Sequence, residues 1–210
     1  MQIKSAISTR RSVAKESFKT ASDCIGKIYN NMSLFAITRG QFSMIDAIIS
    51  CLDLANDGKA KISLWTWTIA EYEIECMERL MSDKRIYSGL LIIDSSARRK
   101  NAELIKRWKS SFNDGSVKYV VNHAKIATIQ TEKYKLLLRG SMNLNFNPRF
   151  EQFDITEGGE DFNLVKEIEN ELPELNDDHQ NRDARKASKI ETAFDKQQLS
   201  LFDKAKIWTK

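Results

Sequence analysis

The middle of the chain alternates between two hydrophobic periods, and this alternation restricts its possible folds more than any other feature. Short runs of branched and aromatic residues predict strands at 33–38, 61–68 and 89–94. Segments with apolar residues at helical spacing separate and follow these runs, at 41–57, 69–83 and 96–114. The segments 117–130 and 133–144 hold the remaining strands. This order predicts an α/β fold with a mixed central β-sheet flanked by helices.

Length, charge and cysteine content indicate the cellular location of the protein and the kinds of partner that it can bind. The chain has 210 residues and a formal net charge of +4, which predicts one domain with appendages and permits a polyanionic partner without requiring one. No apolar run approaches the roughly 20 residues of a membrane span, and no hydrophobic region follows the Arg10-Arg11 pair. The three cysteines have neither disulfide nor metal-ligand spacing. We therefore expect a cytoplasmic location, no membrane contact, and no metal or other cofactor.

The ends of the chain differ in composition from its middle. Residues 174–210 are charged, mostly polar and poor in aliphatic side chains, and such a segment buries too little apolar area to offset its ordering entropy. The sequence predicts an N-terminal arm at 1–25, a folded domain at 26–173 and a flexible C-terminal tail at 174–210. The arm has no clear pattern and is compatible with an amphipathic helix.

Five residues in the last predicted strands have the chemistry of a phosphate site. His123 and Lys125 occupy alternate positions of a strand pattern, so we expect them on one face. One hairpin later, Ser141 and Asn143 also share a face, and Gly140 allows a close backbone approach. A lysine supplies charge-matched donors, and hydroxyl and amide groups bond equatorial phosphoryl oxygens. A histidine attacks phosphorus or protonates the leaving oxygen.

The pattern H-x-K followed by G-S-x-N, formed by His123, Lys125, Gly140, Ser141 and Asn143, resembles the motif of the phospholipase D superfamily. The resemblance implies a phospholipase D-like fold over about 32–172. It also implies metal-independent phosphodiester chemistry through a phosphohistidine, with Lys125, Ser141 and Asn143 holding the phosphate. Glu151 falls where family members often have an acidic residue that orients the histidine.

One position departs from the family motif. The motif continues H-x-K-x4-D, and this chain has Gln130 where the aspartate should be. The family aspartate has a supporting role, so its absence leaves the fold prediction unchanged and puts catalysis in question. Glu132 would substitute for it if the hairpin register shifts.

The chain contains a single copy of the motif. Family chemistry uses two histidines, one as nucleophile and one as acid, and His179 has no motif around it. The resemblance therefore implies a homodimer, as in the single-motif bacterial nucleases of the family, with His123 of each subunit facing the other across a two-fold axis.

Two further features bear on a nucleic-acid substrate. The 96–114 helix has a basic face, which either contacts a DNA backbone or is a solvated surface. Trp65 and Trp67 share a face of their strand, where they either pack in the core or stack on bases. The basic residues are Arg98, Arg99, Lys106, Arg107 and Lys109.

The predicted tail contains a short apolar motif. Its sequence QLSLF resembles the bacterial sliding-clamp-binding motif at all five positions. The resemblance implies that Leu201 and Phe202 enter an apolar pocket of the clamp, with Gln198 bonded at the rim and Leu199 in a smaller site. Ser200 is the remaining position of the motif. A chance apolar pentamer or a helix face docked on the domain are the alternatives.

These observations support three functional hypotheses. The first is a bacterial or phage phosphodiesterase, a nuclease that acts on DNA as a homodimer and is recruited to the sliding clamp. The second is a catalytically inactive DNA- or clamp-binding adaptor on the same fold, with Gln130 as the trace of lost chemistry. The third is a transferase acting on lipid or another phosphodiester.

Overall fold

The central sheet has eight strands in the order β1-β2-β8-β7-β6-β3-β4-β5. The structure is a computed structural model that describes residues 11–16, 20–113, 116–145 and 148–172. The strands are β1 (Arg11–Glu16), β2 (Met32–Thr38), β3 (Ala60–Thr66), β4 (Ile86–Asp94), β5 (Val117–Val120), β6 (Ile126–Gln130), β7 (Lys135–Gly140) and β8 (Glu151–Glu157).

The sheet is mixed. Strands β3, β4 and β5 are parallel, as are β1 and β2, whereas β3-β6-β7-β8-β2 form an antiparallel series. The described helices are α1 (Ala21–Ile25), α2 (Met44–Ala55), α3 (Glu71–Ser82), α4 (Ala97–Lys100), α5 (Ala102–Phe112) and α6 (Glu160–Glu171). The predicted α/β class, with a mixed central sheet flanked by helices, is confirmed.

Helices cover both faces of the sheet. On one face, the Phe112 ring of α5 lies directly over Gly89 of β4. Gly89 pairs with Ile62 of β3, so the next residue, Ser63, points to the opposite face. There, Ser63 donates a hydrogen bond to the Glu169 carboxylate of α6. The hydrophobic core therefore lies in layers above and below the sheet.

A buried lysine holds the end of α6. Lys118 of β5 is 8% exposed, and its Nζ donates to the Glu169 carbonyl at 2.8 Å and to the Leu172 carbonyl at 2.7 Å. The last turn of a helix leaves its carbonyl groups without partners inside the helix, so the ammonium stabilises this terminus.

Three local features differ from the sequence prediction. Residues 121–125 are not strand, although the pattern predicted one strand through His123 and Lys125. The predicted 96–114 helix is two helices, because Asn101 leaves helical geometry and donates its side chain to the Ile69 carbonyl at 3.0 Å. The segment predicted as an arm contains β1 and α1, and β1 pairs with β2 as an edge of the sheet. The predicted tail with its clamp motif lies outside the described residues.

Candidate active site

The candidate site lies where the parallel strands end. Thr66, Asp94 and Val120 are the last residues of β3, β4 and β5, and these strands are neighbours in the sheet. The carboxyl ends of parallel strands share one edge, where α/β proteins usually bind ligands. The loop at 121–125, which contains His123 and Lys125, leaves this edge and enters β6.

Asn122 attaches the histidine loop to the sheet. Its buried side chain donates to the Thr66 carbonyl at 3.1 Å and to the Ile92 carbonyl at 3.4 Å. Its Oδ1 accepts the Ala124 N–H at 2.8 Å. These side-chain bonds replace the strand ladder, which explains why a strand-like sequence forms a loop here. The residues on both sides of His123 are therefore fixed.

Asp94 supports the same loop from β4. Its Oδ2 accepts the Asn122 N–H at 2.8 Å, and its Oδ1 accepts the Ser96 N–H at 2.9 Å. Burial disfavours the charged form, but hydrogen bonds from Ser96, Asn122 and Trp67 outweigh burial and lower the pKa of Asp94 below its usual value. Asp94 is therefore a carboxylate at neutral pH.

His123 and Lys125 are brought together by the loop. Lys125 Nζ lies 3.1 Å from His123 Nδ1 and donates to the His123 carbonyl at 2.6 Å. The lysine is 7% exposed, whereas the histidine is open to solvent. Burial lowers the pKa of Lys125, and the negative charge of Glu151 acts in the opposite direction. The pair thus presents a solvent-facing imidazole beside a buried amine.

The second half of the predicted motif starts opposite Lys125. The Gly140 N–H donates to the Lys125 carbonyl at 3.1 Å, which continues the β6-β7 hairpin. A Cβ on Gly140 would lie 2.8 Å from the Phe153 Cα of β8, so only glycine fits without displacement. Ser141 Oγ accepts the Gln152 N–H at 3.0 Å and donates to the Glu151 carboxylate. Ser141 and Glu151 are therefore joined next to the lysine.

Asn143 follows in a loop that Thr66 also holds. Thr66 Oγ1 accepts the Leu144 N–H at 3.3 Å, while its carbonyl accepts the Asn122 side chain. The end of β3 therefore holds the loop that contains His123 and the loop that contains Asn143 close together. Asn143 Oδ1 is buried and has no hydrogen-bond partner among the described residues, and such groups are uncommon in folded proteins.

Trp67 lies beside the histidine. Its ring centroid is 6.0 Å from that of His123 at an interplanar angle of 46°. The prediction placed Trp65 and Trp67 together on one strand face. In the structure β3 ends at Thr66, so Trp67 is 47% exposed, whereas Trp65 is partly buried and donates to Glu169 at 3.0 Å.

Position 130 lies far from this edge. Gln130 is the last residue of β6, five residues beyond Lys125, which corresponds to about 17 Å at the rise of a strand. The adjacent turn is held by a carboxylate from another segment. Asp57 Oδ2 accepts Thr131 Oγ1 at 2.7 Å and the Lys133 N–H at 2.6 Å. Glu132 is exposed in this turn and does not reach the histidine edge.

The sequence analysis did not identify Asn122 and Asp94 as part of the site, and it did not place Trp67 beside His123. They come from the ends of three different strands, and only the strand order brings them together. The one local signal was the position of Asn122, a residue type that often bonds nearby backbone, directly before His123.

The basic residues of α4 and α5 have unlike surroundings. Arg107 forms ion pairs with Glu78 at 2.7 Å and Glu71 at 3.2 Å, both on α3. Arg98 lies over the Tyr119 ring, with its Cζ 4.9 Å from the ring centroid. Lys106 and Arg99 are exposed, and Lys109 is partly buried.

The chain has low similarity to known proteins. No family model and no curated protein match the chain. Among solved structures, the chain resembles the polyphosphate kinase of Porphyromonas gingivalis, with 17% sequence identity and a TM-score of 0.49. The match covers 67% of this chain and 26% of that enzyme, so the chain spans about a quarter of its length. A likeness this weak has no bearing on activity.

The described residues contain neither a membrane-spanning helix nor a cluster of metal-binding side chains. None of their helices has the length and apolar character needed to cross a bilayer. Within the same residues, no group of three or more histidine, cysteine, aspartate or glutamate side chains is arranged to hold a metal ion.

Proposed function

We propose that the protein is a phosphodiesterase of phospholipase D type that cleaves DNA without a metal through a phosphohistidine. The observation that supports this most strongly is the His123–Lys125 pair, 3.1 Å apart at the carboxyl edge of the sheet. An exposed imidazole beside a buried ammonium matches the needs of phosphoryl transfer, which requires a nucleophile and a fixed positive charge.

The first chemical step needs a rearrangement of this pair. A lysine ammonium can only donate, so in the present arrangement His123 Nδ1 accepts and the imidazole proton is on Nε2. Attack by Nε2 requires the proton on Nδ1 instead. We propose that the incoming phosphate draws the Lys125 donors to its oxygens. The exposed His123 then loses its Nε2 proton to solvent and gains one on Nδ1, and this N–H donates a hydrogen bond to the Glu151 carboxylate. The Nε2–P bond forms as the bond from phosphorus to the leaving oxygen breaks.

The other motif residues hold the phosphate. Ser141 is positioned by Glu151 and the Gln152 N–H, and it would bond one phosphoryl oxygen. Asn143 would donate its amide hydrogens to another. Its Oδ1 is an acceptor and would not contact the phosphoryl oxygens.

Departure of the leaving oxygen in this first step needs an acid, and the described residues of one subunit contain no second histidine to supply it. We propose a homodimer in which His123 of the second subunit protonates the leaving oxygen. The same histidine then takes a proton from water, which attacks phosphorus and releases His123 of the first subunit. Two identical residues related by a two-fold axis fill both roles.

The experiment is cleavage of plasmid and labelled oligonucleotides by the purified protein in excess EDTA, at a cytoplasmic pH. Cleavage is expected, together with a covalent protein–DNA adduct that acid destroys and alkali preserves. Binding without cleavage would favour the inactive adaptor, which Gln130 supports. Hydrolysis of phospholipid but not DNA would contradict the proposed substrate.

We further propose that the protein is recruited to the sliding clamp by residues 198–202, which match the clamp motif at every position. A Leu201→Ala/Phe202→Ala variant should lose capture by immobilised clamp, because these two side chains supply the apolar anchor. Leu199→Ala removes one smaller contact and should reduce capture less. Equal retention of wild type and double variant would contradict recruitment.

A further inference from the structure

A basic groove runs between α5 and the edge strand β5. It has a volume of about 660 Å³ and is open to solvent. Six of its lining residues matter here: Arg98, Ile105, Lys106, Lys109, Asn113 and Tyr119. Three of these carry positive charge, and among the residues that the structure describes, none of those lining the groove is acidic. Such a groove favours an anionic polymer over a neutral or cationic ligand.

Helical spacing explains why the charges face the groove. Ala102, Lys106, Lys109 and Asn113 are three or four residues apart, so they form one stripe along α5. Arg107 points away from this stripe and is neutralised by Glu71 and Glu78 on α3. The basic residues predicted to share one helix face therefore have different environments. Lys106 and Lys109 line the groove, whereas Arg107 pairs with α3.

One end of the groove, at Arg98, lies near the last residue of β5, from which the histidine loop leaves the sheet. Ser95, which follows β4, donates its N–H to the Val120 carbonyl, and Arg98 donates its own N–H to the Ser95 carbonyl. At the other end of α5, Trp108 Nε1 donates to the carbonyl of Ser116, just before β5. The groove therefore runs from Arg98, near the carboxyl end of β5, past Tyr119 to Asn113 at the end of α5.

We propose that this groove binds single-stranded DNA adjacent to the scissile phosphate. This inference rests on the proposed function and names the form of its substrate. Lys106 and Lys109 would contact successive phosphates, as in other grooves that track a single strand. Arg98, supported from below by the Tyr119 ring, presents a guanidinium plane on which a base can stack.

The test is binding of a labelled single-stranded oligonucleotide by fluorescence anisotropy at several salt concentrations. All proteins carry His123→Ala so that cleavage does not interfere. Adding Lys106→Ala/Lys109→Ala should weaken binding about tenfold or more and reduce the slope of log K against log salt by about 1.4, or roughly 0.7 for each lost phosphate contact. The matched control is Lys27→Ala/Lys59→Ala, which removes the same charge from exposed positions elsewhere.

The outcomes separate this inference from the proposed function. Unchanged binding by the groove variant, or equal loss by the control, would overturn the groove as a site. Tighter binding of duplex DNA or RNA than of single-stranded DNA would overturn the assignment of single-stranded DNA as the ligand of the groove. Hydrolysis of bis(p-nitrophenyl) phosphate, tested with His123 intact, should be equal in wild type and groove variant because so small a substrate does not reach the groove. If wild type does not hydrolyse this small substrate, the result contradicts the proposed phosphodiesterase activity but not the binding of DNA in the groove.

Discussion

A His123→Ala variant is expected to cleave DNA in EDTA at least about 10³-fold more slowly than wild type, because it lacks both the nucleophile and the acid. His123 is exposed, and its ring lies beside Lys125 and Trp67. We therefore expect the free energy of unfolding to change by no more than about 0.5 kcal/mol. Initial rates and urea unfolding of the same preparations measure the two effects.

The chain offers a matched control for this variant. It has two histidines, and His179→Ala removes the other one. That variant should cleave at the wild-type rate. Heterodimers of wild-type and His123→Ala subunits should have almost no activity instead of half, because each proposed site uses both histidines. Half activity would show that each subunit works alone, and loss of cleavage with His179→Ala would move the role to the other histidine.

The fold was predictable from the sequence where a segment has one clear period. The 41–57 pattern corresponds to α2, which starts at a Ser43–Asp46 capping box and ends at Asn56 in left-handed geometry. The 89–94 run lies within β4. Such segments form the same element in any context that buries their apolar side, so local sequence suffices.

Predictions were wrong where one polar side chain overrides the local pattern. Residues 117–130 alternate like a continuous strand, yet Asn122 takes over the hydrogen bonds of the neighbouring backbone and turns the chain. Asn101 similarly interrupts a helical pattern by bonding the Ile69 carbonyl. In both cases the asparagine donates to carbonyl groups from distant parts of the chain, so the sequence of the segment does not contain this information.

The proximity of the motif residues was easier to predict than the contacts that hold them in place. His123 and Lys125 do meet, although by a different route, because the loop brings together what strand alternation would have placed on one face. The Gly140–Lys125 pairing follows from the hairpin. Asp94 and Trp67 depend on the order of β3, β4 and β5, and strand order is set by packing over the whole domain.

An Asn122→Ala variant is expected to be destabilised by about 2–4 kcal/mol, because a buried donor or acceptor left without a partner costs about 1–3 kcal/mol. The substitution removes bonds to the carbonyl oxygens of Thr66 and Ile92 and to the N–H of Ala124. The matched control is Asn163→Ala on the exposed side of α6, where a change within about 0.5 kcal/mol is expected. Urea unfolding measures both.

The same variant should show whether Asn122 positions the nucleophile. Under conditions where the variant stays folded, we expect kcat to fall about 10²-fold, since a displacement near 1 Å of a reacting group has effects of this size. KM should change little, because Lys125, Ser141 and Asn143 would still bind the phosphate. An Asn122→Asp variant keeps the acceptor for Ala124 but loses the donors to the Thr66 and Ile92 carbonyl oxygens, so it should not restore kcat. Loss of stability with an unchanged kcat would show that Asn122 serves the fold alone, and that His123 keeps its position without the anchor.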